Sequence, residues 1–271
     1  MTPLILTLRE RPGQRLDLSP LVPHLLAGKT ANEIAQIELQ TTRVRATVGD
    51  IFRLRMGDVQ QIRLEGACDR LDRIGAGMAG GAIEVMGDVG VQAGRLMSGG
   101  RLTINGSAHH WAASGMKGGT IEIAGSAGDR LGGPLAGEVS GMRGGIVIVR
   151  GSVAARAGDR MRRGMIVVEG GAGDHAGSRM IAGTLIVRGK AGALPGYLMK
   201  RGTIVLGESS AALSPTFADC GTHRLIAMRL MADYLKPYSA RAAALLRSPL
   251  RRFAGDMAVL GNGEIFMGNQ N

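Results

Sequence analysis

Residues 158 to 189 read GDRMRRGMIVVEGGAGDHAGSRMIAGTLIVRG and contain nearly the same pattern twice. In each copy a methionine is followed by a glycine, an alternating pair of apolar residues and a second glycine. The first copy consists of Met161, Gly164, Ile166, Val168 and Gly170, and the second copy, nineteen residues later, consists of Met180, Gly183, Leu185, Val187 and Gly189. A fixed period of this kind is typical of repeat architectures, in which each unit stacks on the next.

The pattern extends over eight units. Their alternating apolar pairs are Ile62/Leu64, Ile83/Val85, Leu102/Ile104, Ile121/Ile123, Val147/Val149, Ile166/Val168, Leu185/Val187 and Ile204/Leu206. Successive pairs lie 21, 19, 19, 26, 19, 19 and 19 residues apart, and the extra residues fall near residues 70–75 and inside 132–141. Insertions that preserve the period belong in loops, so the repeat predicts one continuous stack.

Small residues and a methionine complete each unit. A glycine follows the apolar pair, with further small residues three and seven positions later, as in Gly87, Gly90 and Gly94, which makes the motif GxxGxxxG. The closing methionines are Met78, Met97, Met116, Met142, Met161, Met180 and Met199. Glycine tolerates the backbone conformations of tight corners. Methionine fills irregular gaps in cores, so we expect a buried methionine column and not a metal or cofactor site.

Alternation of apolar and polar residues over five positions predicts short strands with one buried face. A unit of about nineteen residues cannot bury that face alone and must stack on its neighbours. The sequence therefore predicts an all-β protein, a right-handed parallel β-helix of about eight 19-residue coils with GxxGxxxG corners. The left-handed hexapeptide form is the alternative, but the six-residue subperiod that it requires is not found.

The segments on either side of the repeats predict a cap and a tail. We expect residues 1–57 to form an N-terminal cap, 58–207 the β-helix repeats, and 208–271 a C-terminal helical tail with closing strands. Thr30 and Glu33 fit a capping box at a helix start, and VGDIFRLRMGD (48–58) predicts strands that enter the first coil. The segments 222–238 and 239–248 have helical spacing, and FAGDMAVLGNGEIFM (253–267) predicts strands.

Composition limits the classes of partner. The net charge of +11 favours an anionic partner, but aromatic residues make up only 3%, which argues against a nucleic-acid binder that stacks bases. The absence of a long uncharged apolar run predicts no membrane span. The start, MTPLILTLRERPGQRLDL, has no basic segment before its short apolar patch, so we expect no signal peptide and a cytoplasmic location.

Catalytic and metal chemistry find little support in the sequence. Cys68 and Cys220 form no CxxC pair, and His109 and His110 have no partner at metal-ligand spacing, so we expect no metal site. Three corner aspartates, Asp129, Asp159 and Asp174, are interpreted as turn-capping residues at different repeat positions. A stand-alone β-helix enzyme acting on a polysaccharide is the alternative function, although such enzymes need a close pair of carboxylates.

A known family carries the same combination of features. Coils of the form MxxGxΦxΦxGxxGxxxG, preceded by VGDIFRLRMGD and followed by RRFAGDMAVLGNGEIFM, resemble the C subunit of formylmethanofuran dehydrogenase. That family shares its repeats with the C-terminal domain of the glutamate synthase large subunit. The resemblance covers residues from about 40 to 268, and the composition, rich in Arg, Ala and Gly, favours the bacterial counterpart, a formyltransferase/hydrolase complex.

The resemblance implies a non-catalytic structural subunit of a multi-subunit complex in one-carbon metabolism. Amidohydrolase-like, formyltransferase-like and other sister subunits are the implied partners, and they would transfer and hydrolyse the formyl group. No cofactor is implied for this chain, whereas the complex would bind a methanofuran-type carrier. The resemblance assigns no catalytic residue to this sequence, and no nucleic acid or membrane partner.

Basic residues recur next to the closing methionines. The residue after the methionine is basic in four of seven coils, and the following position adds two more bases; these six residues, here named the basic ridge, are Lys117, Arg143, Arg162, Arg163, Lys200 and Arg201. Stacked like charges repel unless an anion neutralises them. We expect the ridge to bind the polyglutamate-like tail of the carrier or an acidic sister subunit, with a solvated ridge as the alternative.

A second basic region follows the repeats. Residues 222–252 contain one acid, Asp233, and seven bases: Arg224, Arg229, Lys236, Arg241, Arg247, Arg251 and Arg252. This segment is interpreted either as a solvated face of a capping helix or as an anionic docking surface.

Overall fold

The computed structural model describes residues 2–208 and 213–268. In these ranges the strands are β1 (Pro3–Leu8), β2 (Leu16–Asp17), β3 (Glu38–Thr41), β4 (Ala46–Thr47), β5 (Phe52–Arg55), β6 (Asp58–Ala67), β7 (Leu71–Asp72), β8 (Ala82–Gly87), β9 (Arg101–Ile104), β10 (Thr120–Ile123), β11 (Arg143–Val149), β12 (Arg163–Val168), β13 (Thr184–Val187), β14 (Arg201–Leu206), β15 (Ala218–His223), β16 (Leu250–Gly255) and β17 (Asn262–Gly268). The helices are α1 (Pro23–Leu26), α2 (Ala31–Ala35), α3 (Val48–Ile51), α4 (Ile226–Leu235) and α5 (Ala240–Arg247). The fold is therefore mostly β, as expected.

One sheet of 13 of these strands contains all the repeats, in the order β15-β16-β17-β14-β13-β12-β11-β10-β9-β8-β6-β1-β5, and it does not close on itself. The predicted apolar pairs lie opposite one another in parallel register: Ile62, Ile83, Leu102, Ile121, Val147, Ile166, Leu185 and Ile204 form one continuous row of Cα partners. The extra residues inside 132–141 leave this register intact, because they form a loop between β10 and β11.

A second line of parallel contacts runs beside the sheet. Single bridges join one residue of each repeat to the next, through Val89, Ala108, Ala127, Val153, Ala172 and Ala191. The strand pairs, these bridge residues and the closing methionines all belong to one buried cluster, and the seven methionines are fully buried. Each repeat therefore contacts its neighbours along two lines that enclose a common core, and the predicted methionine column is confirmed as core.

The other face of the sheet changes character along the stack. Its outward row begins with charged and polar residues, Arg63, Glu84, Thr103 and Glu122, and continues with Ile148, Val167, Ile186, Val205 and Phe266. The apolar part of this row is buried under α4 and α5 in a second cluster. Because apolar strand faces need a cover, the C-terminal helices dock on the later repeats and leave the earlier ones to form exposed ion pairs such as Arg101–Glu122.

Two flanking strands extend the stack at its ends. β1 pairs in parallel with β6, and β17 pairs in parallel with β14, so each adds a strand in the register of the repeats. The Thr30–Glu33 capping box is confirmed at the start of α2. The prediction for VGDIFRLRMGD was partly wrong: Val48–Ile51 forms the helical turn α3, because Thr47 and Asp50 make a second capping box there, and β5 lies at the outer edge of the sheet.

The C-terminal predictions agree with the structure in type and differ at the ends. Helix α4 begins at Ile226, since Thr222 and His223 belong to β15, and Ser239 caps α5 by accepting a hydrogen bond from the Ala242 N–H. The closing strands are β16 and β17. None of the helices in the described part of the chain has the length and apolar character needed to cross a lipid bilayer.

Candidate functional site

The six residues of the basic ridge are all exposed along one edge of the stack. Strands β11, β12 and β14 begin at Arg143, Arg163 and Arg201, so the ridge lies where the chain enters the sheet. Backbone hydrogen bonds fix its spacing, because the N–H of the base directly after a methionine donates to the methionine carbonyl of the preceding repeat: Lys117 to Met97 at 2.7 Å, Arg143 to Met116 at 2.6 Å, Arg162 to Met142 at 2.8 Å and Lys200 to Met180 at 2.7 Å.

The ridge is not continuous along the whole stack. Lys117, Arg143 and Arg162 occupy three consecutive repeats, after which Ile181 takes the equivalent position and separates them from Lys200. Neighbouring strands lie about 4.8 Å apart, and two unit charges at about 4 Å repel by about 1 kcal/mol even in bulk water. An anion that spans three repeats would relieve this repulsion.

Among the residues that the structure describes, the ridge bases lack carboxylate partners, unlike several arginines elsewhere in the repeats. Within residues 2–208 and 213–268, none of the six ridge residues forms an ion pair with a carboxylate. Arg143 donates a hydrogen bond from Nε to the Ser140 hydroxyl at 3.2 Å. By contrast, Arg150 pairs with Glu169 at 2.6 Å and Arg179 with Asp159 at 2.5 Å. The ridge charges are therefore available to an external anion.

An amphipathic groove of about 380 Å³ borders the ridge at Lys200. Its walls combine apolar side chains from the loop inside 132–141 and from the segment between β16 and β17 with apolar and basic side chains of the repeats: Val139, Val259, Ile181, Leu198, Arg160, Arg179 and Lys200. Val139 is 75% exposed. Sequence reasoning missed this groove, because Val139 and Val259, which complete its walls, come from two segments that do not follow the repeat.

The corner aspartates have structural partners. The prediction that the three aspartates occupy different repeat positions was partly wrong: Asp159 differs, but Asp129 and Asp174 share one position, which the 26-residue step conceals. Asp129 Oδ1 accepts a hydrogen bond from the Ala155 N–H at 3.0 Å, and Asp174 Oδ1 one from the Ala193 N–H at 2.7 Å. Ala155 and Asp174 are 19 residues apart, so these side chains form one ladder. The turn-capping interpretation was wrong, since Asp129 and Asp174 accept from the backbone of the next repeat and not from their own turns. Asp159 instead binds the Ser178 hydroxyl and the Arg179 guanidinium.

His110 belongs to the same ladder. Its Nδ1 accepts a hydrogen bond from the Asp129 N–H at 2.9 Å, and the Asp129 carboxylate lies 3.6 Å away. Burial and the neighbouring His110 lower the pKa of His109 below its ordinary value. In the described ranges no group of three or more His, Cys, Asp or Glu side chains is arranged to hold a metal ion. The His109–His110 corner thus connects repeats.

Helix α4 carries an exposed feature that sequence reasoning also missed. Ile226, Leu230 and Tyr234 are 75%, 66% and 56% exposed. Their four-residue spacing was visible in the sequence, but the spacing alone did not show which side of the helix would be covered.

Comparisons with known proteins place the chain in a family, although no protein-family model matches it. The chain is 47% identical over 262 residues to the C subunit of the formyltransferase/hydrolase complex Fhc of Methylorubrum extorquens, covering 97% of this chain and 98% of the relative. A shorter match, 31% identical over 93 residues and covering 34% of each chain, is the C subunit of the tungsten-containing formylmethanofuran dehydrogenase 2 of Methanococcus maripaludis.

A solved structure agrees with these relatives. The crystal structure of the formyltransferase/hydrolase complex FhcABCD from Methylorubrum extorquens, in complex with methylofuran, contains a chain that is 43% identical to this one. It superposes with a TM-score of 0.94 over 98% of this chain and 100% of the other. The chain therefore belongs to the family formed by the C subunits of formyltransferase/hydrolase complexes, as the repeat and its flanks predicted.

Proposed function

We propose that this chain is a non-catalytic structural subunit of a formyltransferase/hydrolase complex in the one-carbon metabolism of the cytoplasm. The observation that carries the proposal is the near-complete agreement, in sequence and in backbone, with the C subunit of such a complex. Amidohydrolase-like and formyltransferase-like sister subunits perform the chemistry. The complex uses a methanofuran-type carrier, in line with the methylofuran named for the related crystal structure.

The architecture behind this role is a right-handed parallel β-helix, capped by residues 1–57, built from 58–207 and closed by 208–271. Successive repeats pair in parallel at two places, in the sheet and at the single bridges beside it, and these contacts support the architecture. A chain that pairs with the preceding repeat at both places must wind around the core that lies between them. Parallel crossover connections are right-handed in nearly all proteins, which supports the hand. Such a rod offers rigid, regularly spaced surfaces to several partners at once.

The absence of catalysis by this chain is supported by how its polar side chains are used. A polysaccharide-cleaving enzyme needs two carboxylates free to exchange protons or attack the sugar. Asp72, Asp129 and Asp174 share one corner position of the repeats, and each accepts a backbone hydrogen bond from the next repeat. Those contacts favour the scaffold over the stand-alone enzyme.

The basic ridge meets an anionic partner in the assembled complex, either the acidic tail of the carrier or an acidic sister surface. Three exposed bases on consecutive repeats, without carboxylate partners in the described part of the chain, support this assignment. Bases at a regular spacing of about 4.8 Å suit an extended polyanion, whose charges also recur at short intervals.

Co-expression with the sister subunits tests the scaffold role. An affinity tag on this chain should recover the complex in fixed stoichiometry, and omission of the chain should leave the remaining subunits as smaller, separate species in size-exclusion chromatography. The isolated chain should neither transfer nor hydrolyse formyl groups. A chain that elutes as a folded monomer beside an intact complex of the other subunits would contradict the proposal.

A charge-matched pair of variants tests the ridge. Replacing Lys117, Arg143, Arg162 and Lys200 with Ser should weaken assembly or carrier binding by about tenfold at low salt, the sum of four modest charge contacts, and the difference should shrink at high salt. The control replaces Lys29, Arg45, Arg53 and Lys190, four exposed bases outside the ridge, with Ser. Equal affinities of both variants for the carrier and for the sister subunits would refute the ridge assignment.

A further inference from the structure

Helix α4 is apolar on two opposite sides. Its inner side packs on the later repeats through Met228, Ala232 and Leu235, all buried. Its outer side carries Ile226, Leu230 and Tyr234, which follow one another at four-residue intervals and so form one stripe along the helix. A surface helix ordinarily presents polar residues on the side away from its core. A helix that is apolar on both sides is normally covered on both sides.

The stripe stands out from the rest of the surface. Ile226, Leu230 and Tyr234 are each more than half exposed, and they are adjacent on one rigid element, whereas single exposed apolar residues are ordinary on any protein. Tyr234 also contacts Tyr238, with ring centroids 5.9 Å apart, which extends the apolar surface toward the start of α5. A contiguous patch of this kind marks an interaction surface.

Basic residues border the stripe at its N-terminal end. Arg224, Arg229 and Arg247 line a cavity of about 260 Å³ beside Ile226. Arg247 already pairs with Asp233 on α4, but within the described residues neither Arg224 nor Arg229 is paired with a carboxylate. A partner that covers the stripe would therefore face the positive charges of Arg224 and Arg229 at the edge of the interface.

The charge around the stripe indicates which kind of partner covers it. A second copy of this chain would bring its own Arg224 and Arg229 toward the same charges, and each copy carries a net charge of +11. Like charges facing each other across an interface cost affinity, whereas an acidic rim would gain it. The observations therefore favour a partner that combines an apolar groove with carboxylates at its edge.

We infer that the outer side of α4, formed by Ile226, Leu230 and Tyr234 with Arg224 and Arg229 beside it, docks into an apolar groove rimmed by carboxylates on a sister subunit of the complex. This inference rests on the proposed function. It assigns a defined surface to the assembly: the helix is held on the later repeats by its inner side and presents its outer side to the partner, as helix-in-groove contacts do elsewhere.

The experiment uses the full chain co-expressed with its sister subunits. The variant Ile226→Gln/Leu230→Gln removes the stripe while keeping good helix formers, and Arg224→Glu/Arg229→Glu reverses the rim. The control variant, Leu25→Gln/Val44→Gln, changes two other exposed apolar residues, which belong to the N-terminal segment and not to α4. Circular dichroism melting checks that each variant folds. Affinity for the sister subunits is measured by titration and size-exclusion chromatography.

Both α4 variants should bind the sister subunits at least about tenfold more weakly than the wild type, a change of about 1.4 kcal/mol, while the control should match the wild type. The inference is overturned if folded α4 variants assemble with wild-type affinity. It is also overturned if the isolated wild type forms a dimer that Ile226→Gln/Leu230→Gln abolishes, or if the isolated wild type binds vesicles containing phosphatidylserine and the same variant does not. A folded wild type that binds none of the sister subunits refutes the proposed function itself, and the inference with it.

Discussion

The terminal methyl group of Met116 occupies the space that a side chain at Gly145 would need. A Cβ built on Gly145 would lie 2.6 Å from Met116 Cε and 2.8 Å from the carbonyl oxygen of Gly119. The same relationship recurs along the stack, between Met97 and Gly119 and between Met142 and Gly164. The methionine column and the glycines near the starts of the strands are therefore complementary: from Met97 onward, each closing methionine packs into the space left by the glycine of the next repeat.

This relationship predicts a severe effect of Gly145→Ala. Gly145 has φ +82°, so alanine would bear backbone strain together with clashes against the Met116 methyl group and the Gly119 carbonyl oxygen. We expect the free energy of unfolding to fall by about 2 to 4 kcal/mol, measured by urea denaturation. Gly137→Ala is the matched control, because Gly137 has φ +83° but open space around it, and should cost only about 1 kcal/mol. Equal costs would show that close packing against Met116 and Gly119 adds nothing to the cost of the backbone strain.

A second prediction concerns the buried carboxylate of Asp159. Arg179 donates to it twice, Nε to Oδ1 at 2.9 Å and Nη2 to Oδ2 at 2.5 Å, and the Asp159 side chain is only 2% exposed. Arg179→Ala would leave this charge without its partner and should cost about 2 to 3 kcal/mol in thermal or urea unfolding, since removing one member of a buried pair is strongly destabilising.

The exposed pair Arg251–Asp219 provides the comparison for Arg179. Both of its side chains are at least 40% exposed. Arg251→Ala should therefore cost less than about 1 kcal/mol, as is usual for solvated ion pairs. If Arg179→Ala proves no more destabilising than Arg251→Ala, the Asp159 carboxylate is not held by Arg179 in the way that the contacts indicate.

A lysine substituted into the outward row of the sheet should change stability differently at the two ends of the row. Val167 is fully buried between Ile148 and Ile186 under the C-terminal helices, so Val167→Lys should release α4 and α5 and lower the melting temperature. Thr103 occupies the same row between Glu84 and Glu122. A lysine there would have a carboxylate on each neighbouring strand with which to form an ion pair, so Thr103→Lys should be neutral or slightly stabilising. Limited proteolysis should cut residues 226–247 rapidly in the Val167 variant alone. Protection of that segment in both variants would contradict the docking.

Acid stability should depend on Glu138 in the loop between β10 and β11. Hydrogen bonding from Arg95, at 2.7 Å, and from the Leu135 N–H lowers the pKa of Glu138 below its ordinary value of 4.5. A carboxylate with a lowered pKa stabilises the fold at pH above the ordinary value, and this contribution disappears as the pH falls through the folded-state pKa. Glu138→Gln should therefore reduce stability more at pH 6 than at pH 3, because the charge contribution shrinks as the pH falls through the lowered pKa. An equal loss at both values would assign the effect to something other than the charge.

The periodic part of the molecule was predictable because each strand residue repeats its environment. Alternation sets which residues face inward, and a constant step brings equivalent residues together, so Ile83 opposite Leu102 follows from counting. The arithmetic failed where the step changed: Asp129 and Asp174 share a corner that the 26-residue step conceals. The bases of the ridge lie along one edge for the same reason, since they follow the methionines at fixed positions.

The sequence by itself thus determined the repeating core, its register and the line of bases along one edge, because these depend only on neighbours one period away. The tertiary structure alone decided where the non-repeating segments go. The helices α4 and α5 lie on the later repeats because Ile148, Val167, Ile186 and Val205 present an apolar face there, and Val139 and Val259 meet in one groove although 120 residues separate them. Such contacts join surfaces that exist only after the core has formed, and no local spacing in the chain encodes them.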